Sequence, residues 1–400
     1  MSLNISNIYN KPYVFAGNNY KKNNLKPVSF SGQELITPEV QEKMKAIENE
    51  IQKANKIAVF AHINPDEDAL GSSAALKNLI ASKYPDKKID VFIVGRTPHG
   101  AKCINDVNSF ESLDKKSDFE AIKARKYDLA ISVDCANKDL MKDGSKIFDS
   151  ATKKIKIDHH PDDKNINNYA DINLVCEEAT AASQVVLLLA DHMKVPLNKE
   201  FATDVYMAII GDTQGFRYMK KPDGVFEDCS RLTKTGIDTR KIYCNTMDYM
   251  PKEALKFYGQ VLNSIQFSKD GKIAYLVDDS LVEKDPRTGR YINTSKTLNK
   301  KGLEKADVKG IFDNVLSIIM PNIAGVKIAV KINEQDDKTK GCLDTGASLR
   351  GNGINVDEFA EKHGGGGHEF AAAFIGSREK AADIVKDISV YLKDKERQDS

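Results

Sequence analysis

A metal-binding pattern stands early in the chain. His62, Asp66 and Asp68 place an imidazole and two carboxylates within seven residues. They directly follow the apolar run 57–61, which predicts a β-strand. Carboxylates and imidazoles bind divalent cations such as manganese or magnesium. A strand that ends in three ligands of this kind suggests a metal site.

Three later segments end in the same way. The strand-like runs 129–133 and 154–157 and a helix-like apolar run each end at an acid or an imidazole. The residues at these ends are Asp134, then Asp158, His159 and His160, and finally Asp212. A single acid after a strand is more often a helix N-cap or a turn residue. However, three of the seven histidines, His62, His159 and His160, lie in the four clusters taken together. The carboxyl ends of strands in an open α/β sheet also converge on one ligand site.

Alternating strand-like and helix-like segments must position these residues. A helix is predicted to start near Pro38, a strand at 89–94, and helices at 69–79, 179–190 and 201–210. The chain then reads as helical to about residue 263. This alternation predicts an α/β fold with a mostly parallel sheet and helices on both faces. In the second half we expect strands at 265–276, 315–320 and 326–332, helices at 356–362 and from 377, and an exposed loop at 283–301.

The charge balance, the cysteines and the apolar runs of the chain exclude several classes of protein. The chain has 59 basic and 58 acidic residues, which argues against a surface that neutralises many phosphates of a long duplex. Six cysteines form no Cys-x-x-Cys pair, so neither a thiolate zinc site nor a disulfide framework is indicated. A reducing cytoplasm is the expected setting. No apolar run is long enough for a membrane span or a signal peptide.

The motifs resemble those of a known family. The segment from His62 to Ser72, the isolated Asp134, the triplet at 158–160 and Asp212-Thr213 are similar to the four motifs of DHH phosphoesterases. A later segment resembles the DHH-associated C-terminal domain of the family's oligoribonuclease branch. That segment comprises 348–350, the glycine run with His368, and 371–372. Two departures from the pattern, Gln214 and Ala373 in place of glycines, leave substrate choice more open than hydrolysis.

The resemblance implies two metal ions. Ligands without thiolate favour Mn²⁺, with Mg²⁺ or Co²⁺ as alternatives, over structural zinc. Two ions can clamp the attacking and leaving oxygens of a phosphoryl transfer. By resemblance, the first ion would be held by His62 and Asp66, the second by Asp68, His159 and Asp212, and both by Asp134. His160 would stabilise charge on the scissile phosphate, and Asp158 is expected to orient an imidazole.

Substrate contacts are expected from the second domain. The resemblance implies that a nucleotide's terminal phosphate or base is held by Arg350, Gly364, Gly365, Gly366, Gly367 and His368. Arginine offers a bidentate phosphate clamp, and glycines let the backbone approach an anion. Alternatively, four glycines form merely a flexible turn. Arg217 is either a further phosphate ligand or a solvated side chain beside two core aromatics.

The domain prediction follows the motifs. We expect a disordered tail at 1–36, a DHH catalytic domain at 37–245, a helical linker at 246–264 and a smaller α/β substrate-binding domain at 265–400. The expected activity is metal-dependent hydrolysis of short oligoribonucleotides, with adenosine 3′,5′-bisphosphate (PAP) as a second candidate substrate. Cyclic di-AMP phosphodiesterase is an alternative, as is a non-catalytic nucleotide-binding regulatory module. No membrane or stable duplex partner is expected, and a homodimer is compatible with the resemblance.

Overall fold

The computed structural model describes residues 35–104, 106–161, 168–250, 252–277, 305–337 and 342–398. Most of the predicted tail, residues 1–34, and the predicted loop at 283–301 lie outside these residues. The chain divides into two compact units, with the boundary between Tyr249 and Met250. No helix in the described part of the chain is long and apolar enough to cross a membrane.

The first unit contains a parallel six-stranded sheet. Its strands are β1 (Lys56–Phe60), β2 (Lys88–Ile93), β3 (Glu111–Ser112), β4 (Leu129–Val133), β5 (Lys153–Asp158) and β6 (Ile172–Val175). Their order across the sheet is β3-β2-β1-β4-β5-β6. The direction of winding therefore reverses between β1 and β4, and doubly wound sheets bind ligands at the carboxyl ends of the strands beside such a reversal. This confirms the predicted fold class.

Helices cover both faces of this sheet. They are α1 (Pro38–Lys53), α2 (Glu67–Lys83), α3 (Lys116–Lys123), α4 (Gly144–Ser150), α5 (Ala182–His192), α6 (Lys199–Asp212), α7 (Pro222–Thr233) and α8 (Thr239–Thr246). The predicted start of α1 is confirmed, since Thr37 accepts a hydrogen bond from the amide of Val40 as its N-cap. The strands are buried on both sides: Ile57 and Val59 join one apolar cluster, and Ala58 and Phe60 join the other.

The second unit has a mixed sheet. Its strands are β7 (Gln266–Phe267), β8 (Ile273–Val277), β9 (Ile328–Asp337), β10 (Cys342–Gly351), β11 (Gly366–His368) and β12 (Ala371–Ser377). Their order is β11-β12-β10-β9-β8-β7, and β8 and β9 pair in parallel while the other neighbours are antiparallel. The helices are α9 (Lys252–Asn263), α10 (Lys305–Asn314), α11 (Asp357–Lys362) and α12 (Ala381–Gln398).

Several sequence-based element assignments need correction. The predicted strand at 315–320 is wrong, because Val315–Ile319 is π-helical and a 3₁₀ turn follows. A short apolar run does not distinguish a buried strand from a buried helix by periodicity. The single strand expected at 265–276 is the β7–β8 hairpin. The strands β3, β6, β10, β11 and β12 were not predicted, and the helix expected from 377 begins at Ala381 because β12 extends to Ser377. The predicted helix at 179–190 begins three residues late, at Ala182. Finally, α9 lies within the predicted linker, and its Phe257 joins the core of the second unit.

Candidate metal centre

Strand ends and one helix end position the candidate ligands. Asp134 directly follows β4, and His159 directly follows β5. The adjacent strands β4 and β5 are aligned so that Val133 pairs with Ile157, and the amide of Asp134 donates to the carbonyl of Ile157 over 3.0 Å. Asp134 therefore lies beside the triplet that follows β5.

Close packing of α2 on α6 brings in two further acids. A Cβ on Gly71 would lie 2.5 Å from the carbonyl oxygen of Asp204, and one on Gly211 would lie 2.4 Å from the Cβ of Glu67. Glycine at these two positions lets the first turn of α2 meet the last turn of α6. Asp68 and Asp212, which follow Glu67 and Gly211 in the chain, are thereby brought into one group.

The six predicted ligands come together. In three groups, one ligand atom from each side chain lies within 4.8 Å of the others: His62, Asp66 and Asp134; Asp68, His159 and Asp212; and Asp134, His159 and His160. The Nε2 atom of His62 is 3.7 Å from an oxygen of Asp66 and 3.7 Å from Oδ2 of Asp134. The Nε2 atom of His159 is 3.6 Å from Oδ1 of Asp134. Asp134 thus faces the first two groups with different oxygens.

Backbone carbonyls orient both ligand imidazoles. The Nδ1 of His62 is 2.9 Å from the carbonyl of Ile63, and that of His159 is 3.2 Å from the carbonyl of Ala179. A carbonyl can only accept, so Nδ1 carries the proton and Nε2 keeps its lone pair for a cation. Burial lowers the pKa of His159, which favours its neutral form. At His62 burial also opposes the charged form, but the hydrogen bond and charge of Asp66 outweigh it and raise the pKa. Ala179 lies three residues before the start of α5.

Asp134 is the side chain that most clearly fits a metal ion. It is 3% exposed, its backbone φ of 54° lies in the left-handed region, and Oδ1 has no hydrogen-bond partner among the described residues. Burial, and then the charges of Asp68 and Asp66, raise its pKa well above the ordinary value. Burial and the same two carboxylates raise the pKa of Asp212 to about 8. A divalent cation would compensate this crowded negative charge, since buried charges need a partner.

Asp158 organises the second imidazole of the triplet. Its Oδ1 accepts from the Nδ1 of His160 over 2.9 Å and from the amide of His159 over 2.8 Å. Burial opposes its ionisation, but the hydrogen bond from His160 and the nearby ammonium of Lys156 hold the pKa of Asp158 below its ordinary value. The imidazole of His160 is 44% exposed, whereas Asp68 and Asp134 are buried. The cluster is therefore accessible to solvent at His160 and also at Asp66, whose side chain is 57% exposed.

Arg217 and its neighbours lie just beyond Asp212. Arg217 donates to the carbonyl of Gln214 over 2.9 Å, and Gln214 itself has a left-handed φ of 48°. Tyr218 is 53% exposed, so Arg217 does not lie between two core aromatics. The ammonium of Lys220 lies close enough to Asp212 to oppose the rise in that group's pKa. Lys220 was not among the sequence candidates, although it follows the fourth motif by only a few residues.

The glycine run of the second unit is more ordered than a loop. Gly366, Gly367 and His368 form β11 and pair with β12. The amides of Gly364 and Gly365 donate to the carbonyls of Glu361 and Ala360 at the end of α11. These two amides are therefore already used within the fold.

The close approach of β12 explains why glycine is needed at two positions of this run. A Cβ on Gly365 would lie 2.1 Å from the carbonyl oxygen of Ala373, and one on Gly367 would lie 2.5 Å from that of Ala371. Arg350 lies on β10 opposite Ala371 of β12 and donates to the carbonyl of Leu349. Arg350 on β10 and the glycines of β11 thus lie on either side of β12 in one sheet, in the unit that does not contain the acidic cluster.

These features agree with comparisons to known proteins. Residues 56–209 match the DHH family, N-terminal domain, and residues 293–394 match the DHHA1 domain. The chain therefore belongs to the DHH family and carries both of these domains, which makes it a phosphoesterase-type hydrolase. The first match spans β1, β4 and β5 with the acids and imidazoles at their ends.

Curated relatives match over most of the chain. The probable bifunctional oligoribonuclease and PAP phosphatase NrnA of Streptococcus mutans is 27% identical over 87% of this chain and 99% of its own length. The NrnA protein of Bacillus subtilis is 26% identical over 85% of this chain and 96% of its own. A solved exopolyphosphatase-related protein from Bacteroides fragilis shares the fold. It has a TM-score of 0.69 at 22% identity and covers 88% of this chain and 96% of that one.

Proposed function

We propose that the protein is a divalent-metal-dependent phosphodiesterase that hydrolyses short oligoribonucleotides and PAP. The observation that carries the proposal is the shared carboxylate, Asp134, which contacts two groups of candidate ligands through separate oxygens. The names of the curated relatives, bifunctional oligoribonuclease and PAP phosphatase, support the choice of substrates.

The ligand set fits two divalent ions, with Mn²⁺ as the first candidate. In the proposal, His62 and Asp66 hold one ion, Asp68, His159 and Asp212 hold the other, and Asp134 contributes to both. The two imidazoles offer Nε2 because their Nδ1 atoms face carbonyls. When bound, such a pair supplies Lewis-acid activation of water and of the phosphoryl oxygens.

The protein's own residues orient the phosphate. His160 donates from Nδ1 to Asp158, and its side chain is 44% exposed. We propose that the imidazolium form of His160 donates from Nε2 to a non-bridging phosphate oxygen as negative charge develops. Arg217, exposed beyond Asp212, is proposed as a second phosphate contact. In the second unit, Arg350 and residues 364–368 are proposed to bind the nucleotide.

A turnover panel tests the proposal. The purified protein is assayed with Mn²⁺, Mg²⁺ or Co²⁺ against a 5′-phosphorylated RNA dinucleotide, PAP, cyclic di-AMP and pyrophosphate, with Asp134→Asn as the inactive control. We expect hydrolysis of the dinucleotide and of PAP, and none by the variant. Faster turnover of cyclic di-AMP would reassign the substrate. Nucleotide binding without turnover under every metal condition would contradict an enzyme and favour a regulatory module.

A further inference from the structure

A lysine is buried directly behind the Asp158–His160 pair. Lys156 lies on β5, two residues before Asp158, so both side chains point to the same face of the strand. The Lys156 side chain is 1% exposed and that of Asp158 is fully buried. The ammonium Nζ donates to the carbonyl of Ala136 over 3.1 Å, lies 3.3 Å from Oδ2 of Asp158, and faces the ring of Tyr169 at 5.4 Å.

Packing alone does not account for this lysine. Lysine is almost never fully buried unless it is paired, and a buried ion pair seldom stabilises a fold more than apolar side chains of similar volume. The face of β5 that carries Lys156 packs into an aromatic cluster that includes Phe60 and Phe148, where an apolar side chain would be at home. The contact with Asp158 points instead to the neighbouring site.

The two oxygens of Asp158 have separate roles. Oδ1 faces three donors: the amide of His159, the amide of His160 and the Nδ1 of His160. Oδ2 makes no hydrogen bond within the described part of the chain, and the charge facing it is the ammonium of Lys156. Because the terminal torsion of a carboxylate is broad, this charge can select the rotation that presents Oδ1 to His160.

We propose that Lys156 is a positioning residue for His160. Its ammonium fixes the Asp158 carboxylate, and Asp158 in turn holds the His160 imidazole with Nε2 facing the substrate phosphate. This inference rests on the proposed function, since it assigns His160 a role in hydrolysis. Lys156 belongs to none of the candidate ligand groups, so its loss should spare metal binding.

The test is a double-mutant cycle with a matched control. Lys156→Met should lower kcat about tenfold, with KM and metal content unchanged. In a His160→Ala background the same substitution should have no further effect, because residues that act through one another are not additive. Lys154→Met is the control: Lys154 lies two residues earlier on the same face of β5, is partly exposed and lies 3.7 Å from Asp171. It should retain wild-type kcat.

A measurement that does not depend on turnover tests the role of Lys156 separately from the proposed function. In the metal-free protein at alkaline pH, where the imidazole of His160 is neutral, its ¹⁵N NMR signals should show the proton on Nδ1 in wild type and in Lys154→Met, and a mixture of tautomers in Lys156→Met. If Lys156→Met does not fold, Lys156→Gln takes its place, because it keeps a donor for Ala136 and removes the charge. Unchanged kcat and tautomer, or an equal loss of kcat with and without His160, would overturn the role of Lys156. Inactivity of the wild type towards every substrate would overturn the proposed function, while the tautomer would still test the lysine.

Discussion

Replacing Asp134 by asparagine should change stability in opposite directions with and without metal. In the metal-free protein, the neutral amide removes one buried acid from a group crowded by Asp66, Asp68 and Asp212. Its melting temperature should therefore be equal to or above that of wild type. With metal, the variant should lose most of the stabilisation because the shared ligand is gone.

The size of this effect follows from mass action. An ion at 100 times its dissociation constant stabilises the folded state by about 2.7 kcal/mol, and two ions by up to about twice that. At about 2–4 °C per kcal/mol for a unit of this size, wild type should gain roughly 10–20 °C on saturation with Mn²⁺. Asp134→Asn should gain less than about a third of this, since Asp134 belongs to two of the candidate ligand groups.

The assay is thermal unfolding in chelator and in saturating Mn²⁺, combined with metal analysis of the dialysed protein. Asp204→Asn is the matched control. Asp204 is also buried, at 4% exposure, also has an Oδ1 without a partner among the described residues, and its pKa is also raised well above the ordinary value by burial. It is in none of the ligand groups. It should retain the wild-type gain on metal addition.

Two results would refute the reasoning. If Asp134→Asn melted lower than wild type by the same amount in chelator and in Mn²⁺, Asp134 would be a structural residue. If the variant retained two ions per chain and wild-type turnover, the carboxylate would not be a ligand at all.

Four further predictions concern catalysis, pH, substrate length and packing. His160→Ala should chiefly lower kcat and Arg350→Ala chiefly raise KM; equal losses of kcat at unchanged KM would contradict that division. Because the folded-state pKa of Asp212 is raised from 3.8 to about 8, its contribution to stability is complete below about pH 4 and is lost as pH rises through 8. The melting temperature of the metal-free protein should therefore fall as the pH is raised from about 6 to about 8.5. A rise in melting temperature over this range would contradict the raised pKa of Asp212. For 5′-phosphorylated RNA, kcat/KM should be highest for substrates of roughly two to five nucleotides and much lower for strands of about twenty, because a net charge of +1 provides no extended basic track. Equal turnover of a 24-nucleotide strand would indicate a processive exonuclease. Gly365→Ala should destabilise the second unit by about 1–3 kcal/mol, because the added Cβ would lie 2.1 Å from the carbonyl oxygen of Ala373. Gly366→Ala is the control, since a Cβ there would be 3.7 Å from the nearest atom. This control should unfold at the same urea concentration as wild type.

The site was more predictable than the second unit because its residues follow regular elements. A strand such as 129–133 can be read from its apolar run, and the acid after it must lie at the carboxyl edge of a parallel sheet. His62, Asp134 and His159 can therefore be assigned to one edge of the sheet from the sequence alone. It could not show that both ligand imidazoles would be oriented by backbone carbonyls, since those contacts depend on local backbone geometry.

The second unit was harder because its signals are short or ambiguous. The run 315–320 is apolar and rich in branched residues, which fits a strand, but Val315 and Met320 are buried in the core of that unit from a π-helical segment and the 3₁₀ turn after it. The glycine run 364–367 gave no sign that it would enter the sheet. Glycine has no strand propensity, and its place there follows from the approach of β12, which is a tertiary contact.

Lys156 departs from the composition expected of a strand that is covered on both faces. The segment from Lys153 to Asp158 alternates polar and apolar residues after its first position, and such alternation predicts a strand with one wet face. In a parallel sheet covered on both sides, that face is buried, and the structure packs it against Phe148 and Tyr169. A lysine and an aspartate are thus held where the fold would accept apolar residues. Departures of this kind are expected at functional sites, and here the buried pair ends at His160, the candidate phosphate contact.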